Sequence, residues 1–258
     1  MDLNLKNKVI PVTGAAKGIG LGVIKILAEE GAIPVVIGRN ESDNLKALQL
    51  IQCSESIQIV ADLIEPDQCK KAIEDVVNHY GRIDGLVNNA GVNDGVGLEK
   101  GDYESFLASL HRNLIHYYLM AQHCLPWLKK SKGSIVNISS KTAETGQGNT
   151  SGYSAANGGR NALTREWAVE LLPHGIRVNA VVVAECFTPL YQKWIGSFSE
   201  PEKKLQEITK RIPLGNRMTT EKEIADMTAF LLSDRSSHTT GQIIHVDGGY
   251  VHLDRALT

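Results

Sequence analysis

Several features that would settle the class of this 258-residue chain at once are missing. Its four cysteines, Cys53, Cys69, Cys124 and Cys186, are scattered and form no Cys-x-x-Cys pair. That argues against a disulfide framework and a thiolate metal site, and for reduced thiols in a cytoplasm. No apolar run goes beyond the few residues of Ala180–Ala184, far short of the roughly 20 that span a bilayer. The opening Met-Asp-Leu-Asn-Leu-Lys lacks a charged stretch followed by an apolar one, so a signal peptide is not expected and a cytoplasmic protein is. Charge is nearly balanced, with 27 basic and 29 acidic residues, which leaves neither a nucleic-acid footprint nor an acidic tail. His111, His116 and His123 share one helical region, but none of these pairs has the i, i+4 spacing of metal ligands, so no metal is expected.

The composition that remains, 42% hydrophobic and 22% charged, is that of an ordinary globular protein. Apolar periodicity alternates between short runs and helical spacing. Strands are expected at Lys8–Thr13, Ile33–Gly38, Ile57–Ala61, Leu86-Val87, Ser134–Ile138, Ile176–Val183 and Gln242–Val246. Between them, Ile19, Val23, Ile26 and Leu27 mark a helix ended by Gly31, and Ser42 caps another through about Gln52. A third helix runs from Pro66 to Tyr80, a long one carries Phe106 to Ala121, another extends from Tyr153 to about Leu172, and one covers Glu221–Leu232. Such alternation predicts an α/β fold, a single-domain doubly wound (Rossmann-type) parallel sheet over residues 1–258. The stretch 188–214 reads as a mobile lid over the site. Pro11 is out of place, because a central strand has no N–H to spare.

The most informative stretch is Ser139–Asn157. A strand ends in two serines, a polar loop rich in Gly, Thr and Asn follows, and Tyr153 comes near the start of a helix, thirteen residues after Ser140. Tyr153 and Asn157 are one turn apart and share a face. A hydroxyl and a phenol meeting at the carboxyl edge of a sheet can handle a substrate proton. The same stretch also reads as a helix start after a polar loop. Earlier, Gly14, Gly18 and Gly20 lie between a strand and a helix, where missing side chains let a pyrophosphate approach free N–H groups. At the end of the second strand, where an acid would favour NAD, the chain has Gly38 and then Arg39. With Lys17 this predicts NADP, with NAD tolerated.

Thr13-Gly-Ala-Ala-Lys-Gly-Ile-Gly20, Asn88-Asn-Ala-Gly91, Asn113, Ser140 and Tyr153 appear in the order found in short-chain dehydrogenases/reductases, a family this chain resembles over nearly all its length. The resemblance implies that Asp62 approaches the adenine, that Ile19, Leu63, Asn88, Asn89, Ala90 and Gly91 belong to the cofactor site, and that Thr188 holds the carboxamide. It also implies that Asn113 supports a proton-relay water. Two departures stand out. The family's Pro-Gly after the sixth strand is Val183-Ala184 here, and its lysine four residues after the tyrosine is Asn157. Several stretches look closer to the L-fucose dehydrogenases within the family: Asn88–Asn93, Asn113–Tyr118, Thr145–Gly152 and the tail His252–Thr258. Candidate sugar-binding residues are Asn93, Gln147, Glu185 and Tyr191, because hydroxyls lost from water need polar replacements.

These readings lead to an oxidoreductase that converts the anomeric hydroxyl of L-fucose or a similar aldose to the lactone, with Tyr153 as base and Ser140 on the sugar oxygen. A poorly active dinucleotide-binding protein and a dehydrogenase of another alcohol, such as a hydroxysteroid, are the alternatives. Without a cation at Asn157 the phenol is a weak base, so slow oxidation displaced to alkaline pH is expected, and Asn157→Lys is expected to raise turnover near pH 7 by about 100-fold. Ala155, Ala156, Gly158, Gly159 and Ala162, with Leu163, Trp167 and Leu171, suggest together with the resemblance a homotetramer built on the Asn113 and Tyr153 helices.

Overall fold

The computed structural model describes residues 2–253. Seven strands form one parallel sheet: β1 (Val9–Thr13), β2 (Ile33–Gly38), β3 (Gln58–Val60), β4 (Gly85–Asn88), β5 (Ser134–Ser140), β6 (Arg177–Val183) and β7 (Ile243–Val246). Their order is β3-β2-β1-β4-β5-β6-β7, so the winding reverses between β1 and β4 and leaves a crevice at the carboxyl ends there. Helices α1 (Gly18–Glu29), α2 (Glu41–Gln49), α3 (Pro66–Tyr80), α4 (Tyr103–Leu110), α5 (His116–Ser131), α6 (Ser151–Glu170), α7 (Pro189–Ile195), α8 (Pro201–Thr209) and α9 (Glu221–Leu232) follow in chain order.

Both faces of the sheet are covered, which is why its strands read as nearly continuous apolar runs. Ile10, Val12, Val136 and Val181 turn to one side, onto Val23 and Leu27 of α1 and Ile224 and Leu231 of α9. Val9, Ile135 and Val178 turn to the other, onto Ile73 and Val76 of α3, Met120 and Leu128 of α5 and Trp167 of α6. Trp167 and Leu171 are thus core residues of this chain, not free apolar partners for a second copy.

Three local expectations change. Asn40, rather than Ser42, caps α2 by accepting from the Asp43 N–H at 2.9 Å, because the helix starts two residues earlier. Tyr153 lies within the first turn of α6, which begins at Ser151. The long helix expected around Phe106–Ala121 is broken into α4 and α5 by a π-helical segment, His111–Ile115. The tail His252–Thr258, one of the stretches that resemble the L-fucose dehydrogenases, lies largely outside the described residues. Pro11 does occupy β1, and the sheet accommodates it on one side. In a parallel strand, alternate N–H groups point to alternate neighbours, and the Val9 N–H goes to the β4 side, onto Asp84 Oδ2 at 2.9 Å. Pro11 faces the same way, so its missing donor costs a rung only towards β4, where the register pairing is the single couple Val12–Val87.

Candidate active site

A cleft of about 690 Å³ opens where the sheet order reverses. Its adenosine end, as the sequence placed it, is made of backbone. Gly14 has φ of +62°, and a Cβ there would lie 2.9 Å from Ala90 Cα. Gly18, Lys17 and Ile19 line the wall. Gly20 does not: a Cβ on it would sit 2.2 Å from the Gly14 carbonyl oxygen, so its role is to let the turn close beneath the wall. The loop after β4 is tied to this turn. The Thr13 hydroxyl accepts the N–H groups of Asn89 and Ala90 at 2.8 and 3.0 Å, and Asn89 Nδ2 donates to the Thr13 carbonyl at 2.9 Å. The first turn of α1 holds no acid, and Lys17 at its N-cap gives no side-chain cap. Unclaimed N–H groups and absent side chains fit the pyrophosphate of a dinucleotide.

Arg39, Asp62, Leu63, Asn89, Ala90 and Gly91 all line the cleft. Gly38 leaves no place for an acid, since a Cβ would lie 2.5 Å from Asn44 Oδ1. The two cations expected here are unequal. Lys17 is held by Asp43 at 2.6 Å, while Arg39 has no ion pair among the described residues. Lys17 therefore brings little unspent charge, and Arg39 is the cation available to a 2′-phosphate.

The reactive end is built from side chains. Ser140, at the end of β5, and Tyr153, in the first turn of α6, line the same wall. Asn157 does not reach the cleft. It is fully buried, its Nδ2 donates to the Tyr153 carbonyl at 2.8 Å, and its Oδ1 accepts from Arg160 Nη1 at 2.9 Å. Arg160 lies seven residues after Tyr153 on the same face of α6, a spacing that does not reveal what its side chain meets. Its Nε donates to the Asn113 carbonyl at 2.7 Å and its Nη1 to the Ile138 carbonyl at 3.1 Å. The guanidinium stacks 4.2 Å from the Tyr117 ring. Asn113 likewise stays out of the cleft. Its Oδ1 accepts the Val92 N–H at 2.7 Å and its Nδ2 donates to the Ser109 carbonyl at 3.0 Å. The relay water expected at Asn113 would have to share its carbonyl with Arg160. His116, beside this group, is pushed down to about 3 by burial first and by the Arg160 charge second, so it stays neutral.

On the substrate side, Asn93, Thr188 and Tyr191 line the cleft. The Thr188 hydroxyl also caps α7, accepting from the Tyr191 N–H at 3.3 Å. The Tyr191 hydroxyl donates to Glu185 Oε2 at 2.7 Å, and Glu185 pairs with Lys141. Burial and then the Glu185 charge hold the Tyr191 phenol far above its ordinary range, so it serves as a donor. Glu185 thus stands behind Tyr191 rather than in the lining. Gln147 is exposed on its loop and takes no part in the wall. The fold also gathers Glu144, His245 and His252, with ligand-type atoms within 4.8 Å of one another, a cluster that residue spacing cannot reveal.

Comparison with known proteins agrees with this geometry. A family model described as enoyl-(acyl carrier protein) reductase matches residues 14–251. The 3-oxoacyl-[acyl-carrier-protein] reductase FabG of Thermotoga maritima is 38% identical over 255 residues, covering 96% of this chain and 100% of its own. The L-fucose dehydrogenase of Bos taurus is 30% identical over 250 residues, covering 96% and 91%. Among solved structures, Cj0485 dehydrogenase superposes with a TM-score of 0.96 at 47% identity over 100% of this chain and 99% of its own. Thermoplasma acidophilum aldohexose dehydrogenase superposes with a TM-score of 0.89 at 31% identity over 99% and 98%. With the glycine turn, the Ser140–Tyr153 wall and the strand order already in place, these matches show that the chain belongs to the short-chain dehydrogenase/reductase family of NAD(P)-dependent oxidoreductases.

Proposed function

We propose that this protein oxidises the anomeric C1 hydroxyl of L-fucose or a similar aldose to the lactone, with NADP preferred over NAD. The observation that carries the reading is that Ser140 and Tyr153 both line the cleft whose other end is the uncapped start of α1. The Ser140 hydroxyl holds the sugar oxygen, and the Tyr153 phenolate takes its proton. The nicotinamide, when bound, accepts the hydride from C1. Asn93 and Tyr191 supply polar contacts for ring hydroxyls. The sugar relatives, L-fucose dehydrogenase and aldohexose dehydrogenase, support this substrate class. Arg39, with no ion pair among the described residues, supports NADP.

A second reading has its own observation: the FabG relative is more identical, at 38%, and acts on 3-oxoacyl groups. A third, an impaired enzyme, is favoured by Asn157, which is buried and brings no charge to the cleft. A substrate panel with purified protein and both cofactors separates them. L-fucose and other aldoses, a 3-oxoacyl thioester and a hydroxysteroid are each followed by nicotinamide absorbance. Faster turnover of the thioester than of every sugar would overturn the proposal, and no turnover of anything would favour the impaired reading.

The same proposal includes a homotetramer in a cytoplasm. The outer face of α6, with Ala155 and Ala162 exposed and Val169 69% exposed, and the exposed Tyr118 of α5 support it as faces small and apolar enough for close helix contact. A monomeric mass by light scattering at micromolar concentration would rule it out. Among the described residues, no helix is long and apolar enough to cross a membrane.

A further inference from the structure

Arg160 is the one guanidinium that the fold places almost wholly inside, at 3% exposure, and no carboxylate pairs with it among the described residues. Burying a cation without a counter-charge is costly, and three hydrogen bonds to neutral oxygens offset only part of that cost. Hydrophobic residues could fill such a site more cheaply, so the charge needs a reason. Its surroundings suggest one. Arg160 lines the same cleft as Ser140 and Tyr153. Its Nη2 has no hydrogen-bond partner, and it lies on the wall at Gly91, where a Cβ would come within 2.8 Å of it. Side chains on a helix lean towards its N-terminus, and the Arg160 side chain does reach back a turn, to Asn157, itself bonded to the Tyr153 carbonyl.

An isolated phenol keeps its proton until about pH 10, so a phenol used as a base near neutrality needs positive charge close by. The other charged groups around this wall are already matched. Arg112 of the π-helical segment is held by Asp94 at 3.0 Å. Lys141, just after β5, is held by Glu185, which also takes the Tyr191 hydroxyl. His116 of α5 stays neutral, and burial keeps the neighbouring Tyr117 phenol protonated. Arg39, at the adenosine end, and Lys193 of α7 also line the cleft without an ion pair among the described residues, but Lys193 is exposed to solvent and Arg39 lies at the far end, so Arg160 is the buried, uncompensated cation at this wall.

We propose that Arg160 is the cation of the reactive site, held by the carbonyls of Asn113 and Ile138 and by Asn157 so that its guanidinium stabilises the ionised form of Tyr153. The arginine gives up no proton: the substrate hydroxyl proton passes to the Tyr153 oxygen, and Arg160 stays charged throughout. Asn157 is then a positioning residue, neutral because the charge already sits one turn further along α6. This reverses the expectation for Asn157→Lys. With Arg160 in place, a lysine there would set a second buried cation against the first, and the variant should lose thermal stability and turnover rather than gain.

This inference rests on the dehydrogenase reading, yet its first test needs no substrate. The tyrosinate absorbance of the protein is titrated with pH, and the step due to Tyr153 is isolated by subtracting the Tyr153→Phe variant. In Arg160→Gln that step should move up by about one pH unit or more, and Arg160→Lys should recover part of the shift. If an active substrate is found, the pH of half-maximal turnover should move the same way, with turnover at pH 7 reduced at least about tenfold. Because Arg160→Gln could fail to fold, Asn157→Asp provides the second route: it keeps the shape and neutralises the guanidinium, and should raise the Tyr153 step likewise. Folded variants with an unchanged Tyr153 step would overturn the proposal, whatever the substrate panel finds. A shifted step in a protein that oxidises no sugar would leave it standing and sink only the sugar reading.

Discussion

The two ends of the cleft are made in different ways. At the adenosine end, absence does the work: Gly14, Gly18, Gly20 and Gly38 keep side chains out, and backbone N–H groups are what remain. At the reactive end, side chains are braced by side chains: Ser140, Tyr153 and one edge of Arg160 line the cleft, and Asn157 and Asn113 hold Arg160 in a buried polar network behind it. An end made of backbone is broken by adding atoms and is otherwise tolerant. An end made of a hydrogen-bonded network is broken by removing any one of them, since each loss leaves a buried partner unsatisfied.

The largest effect is expected at the front of the network. Tyr153→Phe should lower turnover by about 10²–10⁴-fold while dinucleotide affinity, measured by fluorescence, changes by less than about threefold. Equal losses in both would mean that the two ends are not separable. Next comes the backbone end. Gly20→Ala places a Cβ against the Gly14 carbonyl oxygen, 2.2 Å away before any relaxation, so the turn must open. Dinucleotide affinity should fall by at least about tenfold, the result of roughly 1–3 kcal/mol of misplacement. Unchanged affinity in calorimetry would show that the turn does not carry the ligand.

How far each end could be read from the sequence follows from the same contrast. Gly14, Gly18 and Arg39 were legible because a backbone site is written in consecutive residues with one strand before and one helix after. Tyr153 and Ser140 were legible for a similar reason, lying on either side of one loop. Arg160 was not, because its importance depends on which distant carbonyls, Asn113 and Ile138, converge on it. For Asn113 and Asn157 a sequence shows which residues share a helix face but not that the face is buried there, so a place in the cleft does not follow from it. The polarity that makes Gln147 a candidate equally suits an exposed loop.

Two smaller effects sharpen the comparison. Arg39→Asp should shift the preference from NADP towards NAD by at least about tenfold, through a lost cation and an added repulsion, without changing turnover at saturation. If wild-type protein binds NAD more tightly than NADP, the assignment of Arg39 is wrong. Behind the reactive end, His116 is held at about 3, below its ordinary 6.5, by burial and by Arg160. Between those values the unfolded chain binds a proton that the folded chain refuses, so stability falls as pH drops from about 6.5 towards 3. His116→Gln should flatten that decline in denaturant midpoints taken at pH 7, 6 and 5, and a decline of unchanged steepness would place the acid sensitivity elsewhere.

Pro11 gives the sheet a seam. Five register pairs join β1 to β2 and seven join β5 to β6, but one joins β1 to β4. The sheet is therefore two leaves, β3-β2-β1 and β4-β5-β6-β7, joined down the line where the winding reverses by few ladder rungs and, at either end, by side-chain bonds through Asp84 and Thr13. The cleft straddles that line, with Gly14 and Arg39 on one leaf and Ala90 and Ser140 on the other. Whatever fills it acts as a clasp. Its binding free energy adds to the cost of opening the leaves, so amide exchange at Thr13 and Val87 should slow on ligand binding more than exchange within the well-stitched β5–β6 pair.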